Sequence, residues 1–577
     1  MNIPFLPVHG YLVLSLVCTL LGAIPAGAVL NVTKFGAAPN TGKDETSAFI
    51  AAFAALKDAQ DKHIVIPKGR YNLRADGNTE HPGVLFLLNG MDNLTIEGRG
   101  AELMMSGAAG VFEINKCSNV NVSGITIDWQ RPPFSEGTVI ASTPRSFDVK
   151  VLDAYPVKGG EAVGAFMSYH ANTRLPDGRD LDVYGAVERT ELISPQVLRV
   201  YLNREIPVPV GRLLVLRHEV YGHNGFTFNR CTNVKAHDIT IYTCPGMALI
   251  GLVCTDVSLK RVNVLNRPGT NRLMSATADA THFGGCKGTV TYEDCIFEGM
   301  GDDGANVKSG LYLTVCKIID DHTVLGQHNL TMVDLPDAGD TLEMSRTDSL
   351  SAYATGKVRT AKLEQGAGNM HRVEFDQAMP PALHVGDVLG NASRAPKLRM
   401  RNCTVRGNRA RGVLCQTRDA VIENCTFSNC TGAGVLVLTE VVYFFESIGT
   451  RDVTVRNCRF VNCNNGAASA EAALCALAYL KDYSYPKTPG VHRNVVFEGN
   501  HFQSTAESAI FAVAVDGLTV KNNTAEQVCM TAGRPTGKYA ICVMDCARVR
   551  VDGNKVDVAR QGKGMIAPKL VTGTVAP

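Results

Sequence analysis

Three aspartates in two short glycine-rich segments are the strongest candidates for functional residues in this chain. Residues 275–285 read SATADATHFGG and contain Asp279, and residues 299–304 read GMGDDG and contain Asp302 and Asp303. Carboxylates held close together repel each other, so like charge and burial raise at least one pKa. A protonated carboxyl group beside ionised carboxylates is what glycoside hydrolysis requires. A solvated turn and a calcium site are the two alternatives.

The separation between the two segments supports a shared site. Asp279 and Asp302 are 23 residues apart, which is close to one period of a repeat that runs through the chain. Residues one period apart lie on adjacent coils of a repeat protein, about 4.8 Å from each other in a parallel ladder. The spacing therefore predicts that the three carboxylates lie on one face.

The repeat consists of a polar turn, alternating β-branched residues and a second short strand. It occurs as TNVKAHDITIY (232–242), TDVSLKRVNVLN (255–266), KLRMRNCTVRG (397–407) and RDVTVRNCRFVNC (451–463), among others. A fixed period of about two dozen residues indicates a solenoid, and strand-length alternation indicates a parallel β-helix. Separate sandwich domains would require hairpin turns, which these phrases lack.

Both ends and interruptions of the repeat can be assigned. The chain after residue 28 predicts a strand, a helix begun by Asp and Thr, and a strand ending in PKGRY, which together resemble the N-terminal cap of the pectate-lyase-like superfamily. Two gaps in the repeat end in similar phrases, LRVYLNREIPVPVGRLLVLRH and HRVEFDQAMPPALHVGDVLGN. We predict an all-β chain: a right-handed parallel β-helix with an N-terminal cap and two inserted small β-barrel-like domains. The predicted segments are 1–28 signal peptide, 29–130 cap and first coils, 131–216 first insert, 217–308 coils with the aspartates, 309–396 second insert, 397–560 C-terminal coils, and 561–577 tail.

Composition narrows the functional classes. The net charge is +2, with 57 basic and 55 acidic side chains, which argues against a nucleic-acid partner. The first 28 residues contain a short apolar run ending in Ala-Gly-Ala, although they lack Lys and Arg, and they predict export to the periplasm or outside the cell. No later segment is long enough to span a bilayer. Cys403, Cys425 and Cys458 recur at equivalent positions, so we predict a ladder of buried thiols rather than a disulfide framework.

The aspartate pattern also resembles known families. The solenoid, the cap and the Asp279/Asp302–Asp303 pattern are similar to the polygalacturonases of glycoside hydrolase family 28, but the chain lacks that family's Asn-Thr-Asp, Gly-His-Gly and Arg-Ile-Lys phrases. Nearly the whole mature chain resembles glycoside hydrolase family 110. The resemblance depends on the paired inserts and on four phrases: IDWQRPPFSEG (127–137), ATADATHFGG, GDDGANVK (301–308) and NRARGVLCQT (408–417). That family comprises exo-acting α-1,3-galactosidases that remove the blood-group-B galactose.

The resemblance implies roles for the residues. In it, Asp302 is the general acid, Asp279 and Asp303 hold and deprotonate the attacking water, and the anomeric configuration is inverted. A short carboxylate separation would instead indicate retention. Five further residues are candidates for sugar contacts, each with an ordinary structural alternative in the core or on the surface: His282, Arg409, Arg411, Glu446 and Trp129. Lys308 is expected to cover the adjoining strand.

The predicted partner is thus an α-galactosyl oligosaccharide or glycoconjugate, with no cofactor and no metal ion. A polygalacturonase-like hydrolase, a polysaccharide lyase and a noncatalytic glycan-binding solenoid remain as alternatives. A lyase requires a cation and a basic residue beside a uronate, whereas the predicted site is acidic. The sequence leaves the oligomeric state open, a homodimer included, and it does not distinguish branched from linear substrates.

Overall fold

The computed structural model describes residues 29–178, 180–329, 335–364, 370–466, 471–529, 539–558 and 566–572. In these residues, 33 strands form one ladder of parallel pairs, in which each strand pairs with the equivalent strand of the next coil. The predicted all-β fold built on a parallel β-helix is therefore confirmed. The predicted signal peptide lies outside the described residues.

The first coils are covered by a cap. Helix α1 (Thr46–Ala55) starts where the side chain of Asp44 accepts the N–H of Thr46, and it buries Phe49 and Phe53. Phe53 stacks on Phe86 with 4.2 Å between ring centroids, so the helix closes the end of the hydrophobic core. Among the described residues, 3-10 helices span Val32–Phe35 and Ala75–Gly77 in this region and Ala392–Arg394 just before the C-terminal coils. The strands of this region are β1 Leu30–Asn31, β2 His63–Val65, β3 Gly69–Arg74, β4 Val84–Asn89, β5 Thr95–Ser106, β6 Gly110–Asn115 and β7 Ser118–Trp129.

Two antiparallel domains interrupt the ladder. The first is a seven-stranded sheet in the order β11-β10-β14-β8-β9-β13-β12, and the second is a closed six-stranded barrel in the order β23-β24-β27-β26-β25-β28. Each has its own buried apolar cluster. The first contains β8 Phe134–Thr143, β9 Ser146–Val151, β10 Ala165–Tyr169, β11 Asp182–Tyr184, β12 Val187–Ser194, β13 Val197–Leu202 and β14 Leu213–Arg217. The second contains β23 Leu313–Ile318, β24 Thr323–His328, β25 Thr341–Ser345, β26 Ala352–Leu363, β27 Met370–Phe375 and β28 Val388–Asn391.

The coils between the inserts carry the aspartate segments. Their strands alternate buried and half-exposed residues, as expected for a sheet with one face on the core. These strands are β15 Phe226–Asn229, β16 Thr232–Ile241, β17 Leu249–Leu252, β18 Thr255–Val264, β19 Thr281–Gly284, β20 Lys287–Glu293, β21 Ile296–Glu298 and β22 Ala305–Lys308.

The recurring Asn-Cys phrases have a local explanation. Asn402, Asn424 and Asn457 each adopt a positive φ of 53–56°, a conformation that asparagine tolerates better than most residues and that turns the chain between two strands. The cysteine that follows each turn is buried and has no disulfide partner. The main-chain N–H of Cys403 points at the sulfur of Cys425, one coil further on. The predicted ladder of buried thiols is present.

The C-terminal coils continue the ladder beyond the second insert. Strand β46 lies inside the segment predicted to be a tail, yet it pairs in parallel with β43 and so extends the ladder. None of the helices in the described residues has the length and apolarity needed to cross a membrane. The strands are β29 Lys397–Arg401, β30 Thr404–Arg406, β31 Val413–Gln416, β32 Arg418–Glu423, β33 Thr426–Ser428, β34 Val435–Glu440, β35 Arg451–Arg456, β36 Arg459–Val461, β37 Ala472–Tyr479, β38 His492–Glu498, β39 His501–Gln503, β40 Ser508–Val513, β41 Val515–Lys521, β42 Thr524–Val528, β43 Ile541–Ala547, β44 Arg550–Asp552, β45 Lys555–Val558 and β46 Ile566–Thr572.

Candidate active site

The aspartates lie at the ends of two paired strands. β19 and β22 pair with Thr281 opposite Ala305, so the turn before each strand carries its aspartates to the same edge. Oδ1 of Asp279 accepts the main-chain N–H of Asp303 at 3.2 Å. The equivalent of Asp279 on the next coil is therefore Asp303, 24 residues on, rather than Asp302. The predicted separation of about one coil therefore brings all three carboxylates together.

The three carboxylates form a tight, buried group that we call the aspartate triad. Each of Asp279, Asp302 and Asp303 offers an oxygen atom, and these atoms all lie within 4.8 Å of one another. The residues are 4, 8 and 2 % exposed, respectively. Because three ionised carboxylates at this distance repel strongly out of water, the triad requires cations or protons nearby.

Two arginines of the following coil supply positive charge. Arg411 donates its main-chain N–H to Oδ1 of Asp303 at 2.9 Å and its Nη2 to Oδ2 at 2.8 Å. Arg409 donates Nη1 to Oδ1 of Asp302 at 2.9 Å. Strand β31 begins just after these residues and pairs with β22, which brings them beside the triad. The structure thus places both predicted arginines against the aspartates.

The surroundings push the pKa values of the triad apart. Burial raises the pKa of Asp303 to about 8, although Arg411 opposes the change. Burial, with the neighbouring Asp302, raises the pKa of Asp279 well above its usual value. Burial also acts on Asp302, but Arg409, Arg411 and a tyrosine hydroxyl outweigh it and hold its pKa below the usual value. The ligand-free site therefore favours an ionised Asp302 beside protonated neighbours.

His282 and Glu446 belong to one polar group beside the triad. His282 Nδ1 lies 2.8 Å from Oδ2 of Asp279, and burial, together with Lys308, lowers the pKa of His282 to about 3, so its ring is neutral. Lys308 does not simply cover a strand, because its Nζ donates to Oε1 of Glu446 at 2.5 Å. Burial raises the pKa of Glu446, but Lys308 outweighs burial, and the pKa is lowered.

Trp129 is placed elsewhere, and its predicted sugar contact needs correction. The residue is 3 % exposed and packs in the main core of the β-helix. Its indole N–H donates to the carbonyl of Gly107 at 3.0 Å. Because Trp129 ends strand β7 with its ring turned towards the core, no ring face is available for a sugar.

Four further residues around the triad could not be predicted from the sequence. Tyr221, which is about half exposed, donates its hydroxyl to Oδ2 of Asp302 at 2.5 Å. Asp182 and Tyr184 of strand β11 and Arg217 at the end of β14 reach the site from the first insert. No periodic pattern marks these positions. The only signal was that the insert ends directly before the coils with the aspartates.

The oxygen atoms of the triad could also bind a metal ion. Three carboxylates this close suit a hard divalent cation such as Ca²⁺. Two of the three, however, already bind guanidinium groups, and Asp279 binds His282 and a main-chain N–H. The arrangement can therefore supply a proton, accept a proton and position a water molecule with its own side chains.

Comparisons with known proteins bear on the fold and on the class of protein that this chain resembles. Residues 388–565 match the family model for a right-handed beta helix region. Over 571 residues the chain is 28% identical to a protein named Alpha-1,3-galactosidase B from Akkermansia muciniphila, covering 92% of this chain and 70% of that one. It is 26% identical to a protein of the same name from Bacteroides thetaiotaomicron, covering 94% and 93%. Over most of its length the chain is thus similar to proteins named alpha-1,3-galactosidase, as its sequence motifs predict.

Among solved structures, a family 28 exopolygalacturonase from Yersinia enterocolitica is similar with a TM-score of 0.48 and 13% identity. The match covers 95% of this chain and 78% of that one.

Proposed function

We propose that this chain, a relative of curated α-1,3-galactosidases, is an exo-acting glycoside hydrolase that releases terminal α-1,3-linked galactose. Its substrates would be blood-group-B-type or linear α-galactosyl glycans. The observation that carries the proposal is the buried aspartate triad, whose oxygen atoms lie within 4.8 Å of one another and whose pKa values are pushed apart. Hydrolysis of a glycosidic bond requires a protonated carboxyl group and an ionised carboxylate close to the same bond.

In the proposed mechanism Asp302 acts as the acid. It donates a proton to the glycosidic oxygen while a water molecule attacks the anomeric carbon from the opposite face. Asp279 and Asp303 position that water and accept its proton, so the bond to the leaving sugar breaks and galactose forms with inverted configuration. Oxygen atoms within 4.8 Å of one another are closer than the carboxyl groups of most inverting enzymes. Inversion is therefore proposed from the resemblance to α-1,3-galactosidases and from the two carboxylates that can hold one water molecule. The half-exposed Tyr221 bonds to Oδ2 of Asp302, which supports this oxygen as the one nearest an incoming substrate.

The directions in which the pKa values of the triad are shifted match the protonation states expected just after one turnover. After one turnover Asp302 is ionised and a proton resides on Asp279 or Asp303, which is the state that the ligand-free surroundings favour. Before the next turnover the proton returns to Asp302 across the short distance within the triad. A glycosidic oxygen that replaces the Tyr221 hydroxyl removes one hydrogen bond that stabilises ionised Asp302, and this raises its pKa.

The test is galactose release from α-1,3-linked digalactoside and the blood-group-B oligosaccharide, compared with α-1,4 and α-1,6 isomers. We expect release from the α-1,3 substrates and its loss, by at least about 100-fold, in D302N. The matched control is E298Q, which alters a carboxylate on the same coil that pairs with Arg406 at the surface. Hydrolysis of all linkages alike, or D302N turnover at the wild-type rate, would contradict the proposal. Absence of any turnover would favour a noncatalytic glycan-binding protein.

A further inference from the structure

Arg409, which binds Asp302, is itself held by a residue of the first inserted domain. Its Nη1 donates to Oδ1 of Asp302 at 2.9 Å, and its Nε donates to Oδ2 of Asp182 at 2.8 Å. Because the guanidinium group is planar and its N–H groups are fixed relative to one another, a carboxylate on Nε determines where Nη1 points. Asp182 lies in β11, 227 residues before Arg409 in the chain.

Tyr184, two residues after Asp182, supports the same arginine with its ring. The guanidinium carbon of Arg409 lies 5.1 Å from the ring centroid of Tyr184, and that of Arg217 lies 4.7 Å from it. Cations at such distances are attracted to the aromatic ring, the more so when water is excluded. The ring therefore fixes the position of both arginines relative to the insert.

Arg217 extends this support to the main chain of both aspartate segments. It is fully buried, and its Nη1 donates to the carbonyls of Thr277 and Gly301, each at 3.0 Å. Gly301 directly precedes Asp302, and Thr277 lies two residues before Asp279. Nη2 of Arg217 lies 4.0 Å from Oδ1 of Asp182. One insert thus contacts the arginine on Asp302 and the turns that carry the aspartates.

We propose that the first inserted domain is a working part of the active site and that Asp182 is a positioning residue for Arg409. In this proposal, which rests on the proposed hydrolase function, Asp182 does not touch the substrate. It holds Arg409 against Asp302, and Tyr184 and Arg217 complete the support. The β-helix alone would then present the three aspartates without the geometry needed for turnover.

The experiment compares D182A and D182N in the full-length protein on an α-1,3-digalactoside. We expect D182A to lower kcat by about 10- to 100-fold with a much smaller change in KM, since misplacement of a catalytic group by about 1 Å has effects of this size. D182N keeps an oxygen that can accept from Nε and is expected to recover part of kcat. It also serves as the second variant if D182A does not fold.

The matched control is E191Q in the same domain. Glu191 pairs with Arg189 at 3.1 Å and accepts a hydrogen bond from the Tyr201 hydroxyl, and Arg189 lies over the Tyr201 ring. The exposed surface thus has the same combination of a carboxylate, an arginine and a tyrosine ring. E191Q is expected to keep wild-type kcat and KM. A purely structural role for Asp182 would lower the melting temperature without changing kcat of the folded enzyme.

A double-mutant cycle with R409Q completes the test. We expect D182A/R409Q to be no slower than R409Q alone, because Asp182 acts through Arg409. Wild-type kcat in D182A, or effects of the two variants that multiply, would overturn the positioning role while leaving the hydrolase function intact. A wild-type protein that releases no galactose would overturn the proposed function, and with it the positioning role.

Discussion

Replacement of Arg411 by glutamine is expected to move the pH dependence of hydrolysis towards higher pH. Arg411 is buried beside the triad, with Nη2 2.8 Å from Oδ2 of Asp303, and it lowers the pKa values of Asp279, Asp302 and Asp303. Without this cation, each ionised carboxylate is less stable relative to its protonated form. The pKa of every member of the triad therefore rises.

The size of the shift follows from the charge separation. Two unit charges about 4 Å apart interact by about 4 kcal/mol at an effective dielectric constant of about 20. This corresponds to about three pKa units, and measured effects of a neighbouring opposite charge range from about one to three units. The acid must be protonated and the base ionised, so both limbs of the profile of kcat/KM are expected to move up by about one to three pH units.

The assay is kcat/KM for an α-1,3-digalactoside, whose leaving group needs the proton donor, measured between about pH 4 and 10. R406Q is the matched control, because Arg406 pairs with Glu298 on the exposed surface of the same coil. Its profile should coincide with that of the wild type. An R411Q profile that coincides with the wild type, or that moves to lower pH, would show that Arg411 does not lower the pKa values of the triad.

Three further outcomes are expected. D302N should lose hydrolysis of a digalactoside but keep much of its activity on an aryl α-galactoside with an acidic phenol, which needs no proton donor; equal losses on both substrates would argue against Asp302 as the acid. D303N should have the same melting temperature as the wild type near pH 4 and a higher one at pH 9. The reason is that the folded-state pKa is raised to about 8, so the wild type loses stability as pH rises from about 4 to 8; a difference that does not vary with pH would contradict this. K308M should lower the free energy of unfolding by about 3–5 kcal/mol, because Glu446 is left buried without its partner, and K308M/E446Q should recover most of this loss. Chemical denaturation measures both variants. A double variant as unstable as K308M would contradict a stabilising contact between Lys308 and Glu446.

The repeat allowed much of the fold and the centre of the site to be predicted from the sequence. Residues one period apart in a parallel ladder lie above one another, so the spacing of Asp279 and Asp302 indicated neighbouring coils. The exact register could not be predicted from this spacing, because the coils differ in length; the pairing of Thr281 with Ala305 places Asp303 opposite Asp279. The Asn-Cys phrases likewise predicted buried thiols, since their position in the repeat is constant.

The residues contributed by the first insert could not be predicted in this way. Asp182, Tyr184 and Arg217 reach the triad by the docking of a separate antiparallel domain, and no period relates their positions to the coils. The rarity of tryptophan in this chain and the place of Trp129 beside the insert predict a sugar contact for this residue. Its side chain instead packs in the core, because the direction of a single residue at a strand end depends on its register.

The most direct test of the proposed inverting hydrolysis is the anomeric form of the galactose that is released first. Digestion of an α-1,3-digalactoside blocked as a methyl glycoside at its reducing end, followed by ¹H NMR within the first minutes, before mutarotation, reports both the reaction and its stereochemistry. The block makes the released galactose distinct from the leaving sugar. With inversion, β-galactose appears first and the α-anomer follows only by mutarotation. Initial formation of α-galactose, or an unsaturated product without free galactose, would contradict it.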